Sequence, residues 1–286
     1  MPAISLVLPI YNEAESISKD IPKLQDALAK SGWEFEIIAV NDCSSDNSAK
    51  ELQKIKGITV LHNPENSGYS ASIKRGLRQA KYEWVGITDI DGTYPNEDIL
   101  RLIKSSGGYD MVVGARTGDK VSTPLSRRPA KWILGKMANF LVGKKIDDIN
   151  SGLRIFKKDK ALEFMHLYPE RFSFTTTITL AFLTNSYPVN FVPINYFKRR
   201  GSSGIRPKDF FGFAHLMFRI VMYFRPLKFF FAPALLMIVT GIIYGALQTM
   251  ANPEKGIGEL PILLTLSGIQ VLFLGMLADL VVRSRK

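Results

Sequence analysis

The sequence predicts an α/β fold with a mostly parallel sheet, followed by two membrane-spanning helices. Three observations predict it. Apolar, β-rich runs alternate with helical spacing over residues 1–115. Four of those runs end in polar clusters. Two long apolar runs close the chain. The 286 residues, 46% hydrophobic, suffice for one large domain with an appendage or for two small domains. That apolar content excludes disorder, and the absence of an internal period excludes a repeat protein. Cys43 is the only cysteine, so no intramolecular disulfide or cysteine-built metal cluster can form. His62, His166 and His215 are too scattered to suggest a histidine metal site.

The elements follow in order. Residues 4–10 (ISLVLPI) form a β-rich run, and residues 15–30 place Ile17, Ile21, Leu24 and Leu28 at helical spacing. A second strand covers 35–41. Ser45 or Asp46 can cap the helix that holds Leu52 and Ile55. A third strand at 58–63, a helix at 67–80 and a fourth strand at 83–89 come next. Asn96-Glu97-Asp98 opens another helix, and 110–116 is a fifth strand.

The C-terminal runs are 229–248, without a charge, and 260–282, with Asp279 alone. About 20 helical residues span roughly 30 Å, the thickness of the hydrocarbon layer. The competing reading is a pair of buried core helices. Arg225 and Lys228 precede the first span, and Arg283, Arg285 and Lys286 follow the second. Basic flanks stay inside, so the soluble region and both termini are expected in the cytoplasm. The N-terminus lacks a signal-type segment. Residues 207–228 mix phenylalanines with Arg219, Arg225 and Lys228, as an interfacial helix would. Gly241 and Gly245 form a GxxxG, which leaves a homo-oligomer through the spans open. The expected divisions are therefore 1–206, 207–228 and 229–286.

In open α/β sheets, ligands bind at the carboxyl ends of the strands. The polar clusters stand there: Pro9-Ile10-Tyr11-Asn12-Glu13, Asn41-Asp42-Cys43-Ser44-Ser45-Asp46, Asn63 with Asn66-Ser67-Gly68, and Asp89-Ile90-Asp91-Gly92. Two carboxylates at i and i+2 on an extended segment point the same way. They are the hard oxygen ligands that Mg2+ or Mn2+ takes together with substrate phosphates. The bland alternative is an Asx turn beside Gly92 and Pro95. No P-loop, GxGxxG or GxSxG is present, which argues against an NTPase, a dinucleotide enzyme or an α/β-hydrolase.

Together with Ala71 and Gly76, these clusters resemble family 2 glycosyltransferases of the GT-A fold, over roughly residues 3–206. With its two C-terminal spans, the chain is similar to the polyprenyl-phosphate glycosyltransferases, the dolichol-phosphate mannose synthase and GtrB-like group. The resemblance implies transfer of a sugar from a nucleotide sugar to a membrane polyprenyl phosphate, with inversion at the anomeric carbon. It implies that Pro9, Tyr11, Glu13 and Asp42 hold the nucleoside, and that Asp89 and Asp91 hold the metal on the diphosphate. Asn41 stands where the family usually has aspartate, and Thr93 where mannose synthases often have glutamine.

On the acceptor side, Asp147-Asp148-Ile149-Asn150-Ser151-Gly152-Leu153-Arg154 resembles the family's D-x-x-SG-(F/L)-R segment. The resemblance matches Asp148 to its acid, a catalytic group alongside Asp91, and Ser151 to the acceptor side. Arg116, Arg127, Arg199, Ser203 and Arg206 are the expected phosphate partners, through charge-assisted bonds. In the R-x-G-x-S-K-like segment the lysine position is Gly204, and Arg206 is the charge that could replace it. Many relatives carry glutamate where 175–177 are threonines. A lipid phosphate is already ionised at pH 7, so a strong general base is not required.

The overall net charge of +11 is unevenly placed: −4 over residues 1–115, +11 over 116–206 and +4 over 207–286. A uniformly basic chain would suggest nucleic acid. An acidic half followed by a basic segment beside a membrane fits anionic lipid instead, and no nucleic-acid partner is expected. The alternatives are a membrane glycosyltransferase that extends a polysaccharide or glycolipid, although no QxxRW-type segment occurs, and a non-catalytic membrane scaffold.

Overall fold

The computed structural model of the chain describes residues 2–119, 128–170, 173–197, 218–219, 221–223 and 225–284. Arg127, Arg199, Ser203, Arg206 and most of the stretch 207–228 lie outside them. The chain divides into two compact units, Met1–Pro207 and Lys208–Lys286.

The first unit runs β1 (Ala3–Ile10), α1 (Ala14–Ala29), β2 (Glu34–Asn41), α2 (Ser48–Lys54), β3 (Thr59–His62), α3 (Tyr69–Gln79), β4 (Trp84–Ile87), α4 (Asp98–Lys104), β5 (Met111–Ala115), α5 (Arg128–Val142), β6 (Arg154–Lys157), α6 (Lys158–Glu163), α7 (Phe174–Thr184) and β7 (Val189–Pro193). The strands form a seven-stranded sheet in the order β3-β2-β1-β4-β6-β5-β7. The pairings are parallel except those of β6, which runs against both β4 and β5. The sheet is thus mostly parallel, as expected, and one strand reverses.

Register brings the functional segments to one edge. Ile10 pairs with Asn41, and Asn41 with His62, so β1, β2 and β3 end together. Because β6 is reversed, it starts where β4 ends: Arg154 pairs with Ile87. The loop before β6 therefore reaches the edge that carries the loops after β1, β2 and β4.

Sequence spacing explains the layers. Ile4, Leu6, Leu8 and Ile10 of β1 join a core with Ile17, Ile21, Leu24 and Leu28 of α1 and Ile99, Leu102 and Ile103 of α4. Each such side chain, fully buried, contributes about 1.5–3 kcal/mol. On the opposite face, α3 lies close against β1. A Cβ on Gly76 would sit 2.3 Å from Val7 Cγ1, so only glycine permits that approach. Helices on both faces explain why these strands read as apolar runs rather than as alternation.

Some boundaries differ from the expectation. The fourth strand ends at Ile87, not Asp89, because the chain turns there to bring the acidic pair off the sheet. Asn47 occupies the N-cap position of α2 without a side-chain cap bond, and it is Asp46 whose Oδ1 accepts the Ser48 N–H at the start of the helix. Residues 116–206, read only as motifs, hold α5, β6, α6, α7 and β7. Helix α7 has no amphipathic period because its residues Phe174–Phe182 are all buried.

The second unit is a hairpin of α8 (Pro226–Ala251) and α9 (Glu259–Arg283), joined through a 3-10 turn at Pro253–Lys255. Both helices are long and apolar enough to cross a membrane, and only 17% of the apolar window of each is buried. Such exposure does not suit core helices of a soluble domain. Gly241 and Gly245 face α9. A Cβ on Gly241 would lie 2.9 Å from the Pro261 carbonyl oxygen, and one on Gly245 would lie 3.3 Å from Pro261 Cβ. Gly268 of α9 returns the contact at the Ala234 carbonyl. The GxxxG thus seals the chain's own hairpin. Gln248 Oε1 accepts the Gly258 N–H at 3.1 Å and closes the turn.

Candidate active site

The loops after β1 and β2 are latched to each other. The Asn12 N–H donates to Ser44 Oγ (3.1 Å), the Ser45 N–H to Asn12 Oδ1 (2.9 Å) and the Glu13 N–H to Ser48 Oγ (2.9 Å). Asp46 accepts the Ser48 N–H through Oδ1 and the Ala14 N–H through Oδ2. Burial works against its negative charge, but these bonds and that of the Ser48 hydroxyl prevail, and Asp46 titrates below the ordinary carboxylate range. Asn12 (φ 55°) and Cys43 (φ 54°) sit in the left-handed region at the two strand ends, a conformation that concentrates at functional loops. Tyr11, 47% exposed, stands beside Pro9 and Glu13 on this edge.

Asp42 is buried, and its bonds are to the chain itself. Oδ1 accepts from Asn63 Nδ2 (2.7 Å) and the Ser67 N–H (2.9 Å), and Oδ2 accepts from the Gly68 N–H (2.8 Å). In this structure it fixes the 66–68 turn. Asn41, in the position the family gives to aspartate, pairs with His62 Nδ1 at 3.1 Å.

Asp89 and Asp91 follow β4. Asp91 is buried, and its Oδ1 accepts the Thr93 N–H (3.1 Å) and the Thr93 hydroxyl (2.5 Å). The segment presents two carboxylates after β4, and Asp91 closes an Asx turn onto Thr93. Asp89 receives the phenol of Tyr69, whose pKa rises through burial and through the Asp89 charge. Among the described residues, no third histidine, cysteine or acid completes a metal cluster with them. The donor set fits Mg2+ or Mn2+ that fills its remaining sites with phosphate oxygens and water, rather than an ion caged by protein.

The 148–154 segment packs directly on this pair. A Cβ on Gly152 would fall 2.7 Å from Asp89 Oδ2. The Gly152 N–H donates to the Tyr94 phenol oxygen at 2.7 Å. Three residues before Ser151, the acid is already engaged: Arg116 Nε and Nη2 donate to Asp148 Oδ2 (2.7 Å) and Oδ1 (2.8 Å), and the Arg116 N–H adds a third bond at 3.0 Å. Burial disfavours the Arg116 cation, but the Asp148 carboxylate more than offsets it and raises the guanidinium pKa. Arg116 also lies over the Tyr196 ring, 5.1 Å from its centroid, and Tyr196 meets Tyr94 edge-on at 5.2 Å. Ser151 is fully buried, below the surface of the site.

Sequence reasoning assigned Arg116 and Asp148 to separate tasks, and the structure joins them. It named Arg154 as the end of the D-x-x-SG-(F/L)-R-like segment but gave it no role; Arg154 is fully buried and bonds the Ser151 carbonyl, the Thr175 carbonyl (2.8 Å) and Thr179 Oγ1 (2.8 Å). Burial pushes its pKa down to about 10. The tyrosines 69, 94 and 196 carried no motif signal.

The comparisons with known proteins agree with one another. The profile of glycosyl transferase family 2 matches residues 5–164, and that of the GtrB C-terminal hairpin matches residues 225–283. The low-salt glycan biosynthesis hexosyltransferase Agl6 of Haloferax volcanii is 26% identical over 96% of this chain and 68% of its own length. The undecaprenyl-phosphate 4-deoxy-4-formamido-L-arabinose transferase of Proteus mirabilis is 27% identical over 98% of this chain and 88% of its own. Among solved structures, glucosyl-3-phosphoglycerate synthase from Mycobacterium tuberculosis, in complex with Mn2+, UDP and glucosyl-3-phosphoglycerate, superposes with a TM-score of 0.54. It shares 16% identity and covers 77% of this chain and 78% of that one, a likeness of fold.

Proposed function

Since the chain belongs to glycosyl transferase family 2 and is a glycosyltransferase, we propose that it moves a sugar from a nucleotide sugar onto a membrane polyprenyl phosphate. The observation that carries the reading is Gly152 lying against Asp89. It makes the acidic strand end and the Arg116–Asp148 segment two walls of one site, in a chain that ends in two helices able to cross a membrane. The relative named as an undecaprenyl-phosphate transferase, similar along nearly the whole chain, supports the acceptor class.

In this reading Pro9, Tyr11, Glu13 and the turn fixed by Asp42 receive the nucleoside. Asp89 and Asp91 hold Mg2+ or Mn2+, which when bound would neutralise charge gathering on the diphosphate. An oxygen of the lipid phosphate forms a bond to the anomeric carbon as the bond from that carbon to the diphosphate breaks, and the nucleoside diphosphate leaves. Direct displacement inverts the carbon. Arg116, aimed by Asp148, meets a phosphate on this wall. Asp148 has its carboxylate engaged by Arg116 and by the Asn150 N–H, so its part is to orient the guanidinium and keep negative charge near the sugar. No proton needs to leave the acceptor. The basic flanks of the two apolar helices support a cytoplasmic catalytic unit with both termini inside.

The test is release of nucleoside diphosphate by the purified full chain, with a panel of UDP- and GDP-sugars, with and without polyprenyl phosphate and Mn2+. Lipid-dependent, metal-dependent release with one donor is expected. Release that ignores the lipid with every donor would overturn the acceptor assignment.

A further inference from the structure

We propose that Tyr94 is a positioning residue that ties the acidic strand end to the Arg116–Asp148 pair. The inference rests on the metal reading above and deepens it. Tyr94 lies three residues beyond Asp91 and is buried, 6% exposed. It has contacts in both directions. Its phenol oxygen accepts the Gly152 N–H at 2.7 Å. That bond seats the Gly152 backbone against Asp89 Oδ2, where not even a methyl group would fit. Asp89 is thus held by both Gly152 and the Tyr69 phenol. In the other direction, the Tyr94 ring meets Tyr196 at 5.2 Å, and the Tyr196 ring carries the Arg116 guanidinium at 5.1 Å. The Phe197 N–H donates to the Thr93 carbonyl at 2.9 Å, which pins the segment of Tyr196 beside Tyr94.

The two ends of this bridge therefore cannot shift independently. A metal-ligating carboxylate depends on the groups that orient it, and loss of such a group commonly weakens metal binding or activity by 10- to 100-fold. Tyr94 is not among the residues proposed to hold the metal or to meet the phosphate. It acts through Gly152 and Tyr196, and its hydroxyl is the part that reaches Gly152.

The experiment uses the full chain in detergent. Binding of Mn2+ is read from the electron paramagnetic resonance signal of the free ion, in the presence of UDP and, separately, GDP. Tyr94→Phe keeps the ring and removes the acceptor. It should bind Mn2+ about 10-fold more weakly, and kcat should fall by a larger factor than KM for the donor rises. Tyr168→Phe is the control for a lost buried phenol, since Tyr168 bonds the Ala161 carbonyl away from the site. It should lower the melting temperature and leave Mn2+ affinity unchanged. Wild-type Mn2+ affinity in Tyr94→Phe would overturn the inference alone. Equal losses in the two variants would also overturn it, as a general packing effect. If the wild type binds no Mn2+ with either nucleotide, the metal reading falls and the inference falls with it.

Discussion

Arg116 holds Asp148 with two side-chain bonds and one backbone bond, and the Asp148 side chain is only 1% exposed. Two charges expected to serve separately are one buried unit. Removing one member of such a pair leaves the other uncompensated, at a cost of about 3–5 kcal/mol. Asp148→Ala should therefore lower the urea midpoint as well as turnover. Arg116→Lys cannot reproduce the fork geometry and should fail in the same direction. An Asp148→Ala protein as stable as wild type would show that the pair does not hold this wall.

Asp89 and Asp91 should behave differently. Their proposed task is to bind the metal, so Asp89→Asn and Asp91→Asn should reduce metal-dependent release of nucleoside diphosphate by at least about 100-fold. Melting temperatures should change little in the absence of metal. Full turnover in Asp91→Asn would refute the metal assignment.

Gly152→Ala sets a methyl group 2.7 Å from Asp89 Oδ2. Relief of the clash should cost about 1–3 kcal/mol of stability. The loss of turnover should exceed what that destabilisation explains, because the displaced group is the carboxylate proposed to bind the metal. A calorimetric scan beside an activity assay separates the two effects.

Asp46 predicts an acid limb. Its folded-state pKa lies below the unfolded value, so its stabilisation is present above the unfolded pKa near 3.8 and is lost as pH falls through the folded value. Asp46→Asn should be less stable than wild type at pH 7. The gap should close as pH falls below the ordinary carboxylate range. Urea midpoints at pH 7 and pH 3 check this; a gap that stays constant would mean that Asp46 acts without its charge.

In the hairpin, Gly241→Leu must displace the Pro261 backbone, 2.9 Å from the glycine's would-be Cβ. A loss of about 1–3 kcal/mol is expected in detergent unfolding. Leu236→Phe, on a residue 65% exposed, should be silent. If Gly241→Leu instead changed only the oligomeric mass, the seam would lie between chains.

Much of this was legible in the sequence because it depends on local pattern. The β1–β5 alternation, the acidic pair after β4 and the two apolar helices each follow from spacing within a few residues. What stayed hidden depends on partners far along the chain. That Gly152 abuts Asp89, 63 residues away, depends on β6 running backwards, and no local period encodes the direction of a strand. The distant partners of Arg154, Thr175 and Thr179 on α7, were hidden in the same way. The engagement of Asp42 by Ser67 and Gly68 was equally invisible, since a carboxylate in a polar cluster reads the same whether it awaits a ligand or ties a turn.

The reversed strand also sets an order of assembly. Strand β6 lies between β4 and β5, yet is synthesised after both. Its place must stay open, or reopen, until residues 154–157 arrive. On a growing chain, the latched loops after β1 and β2 can close while the wall of Gly152, Asp148 and Arg116 is still missing. Insertion of β6 between two existing strands is a non-local pairing, of the kind that slows folding. The loop that meets Asp89 therefore reaches its place only when β6 takes up its position in the sheet.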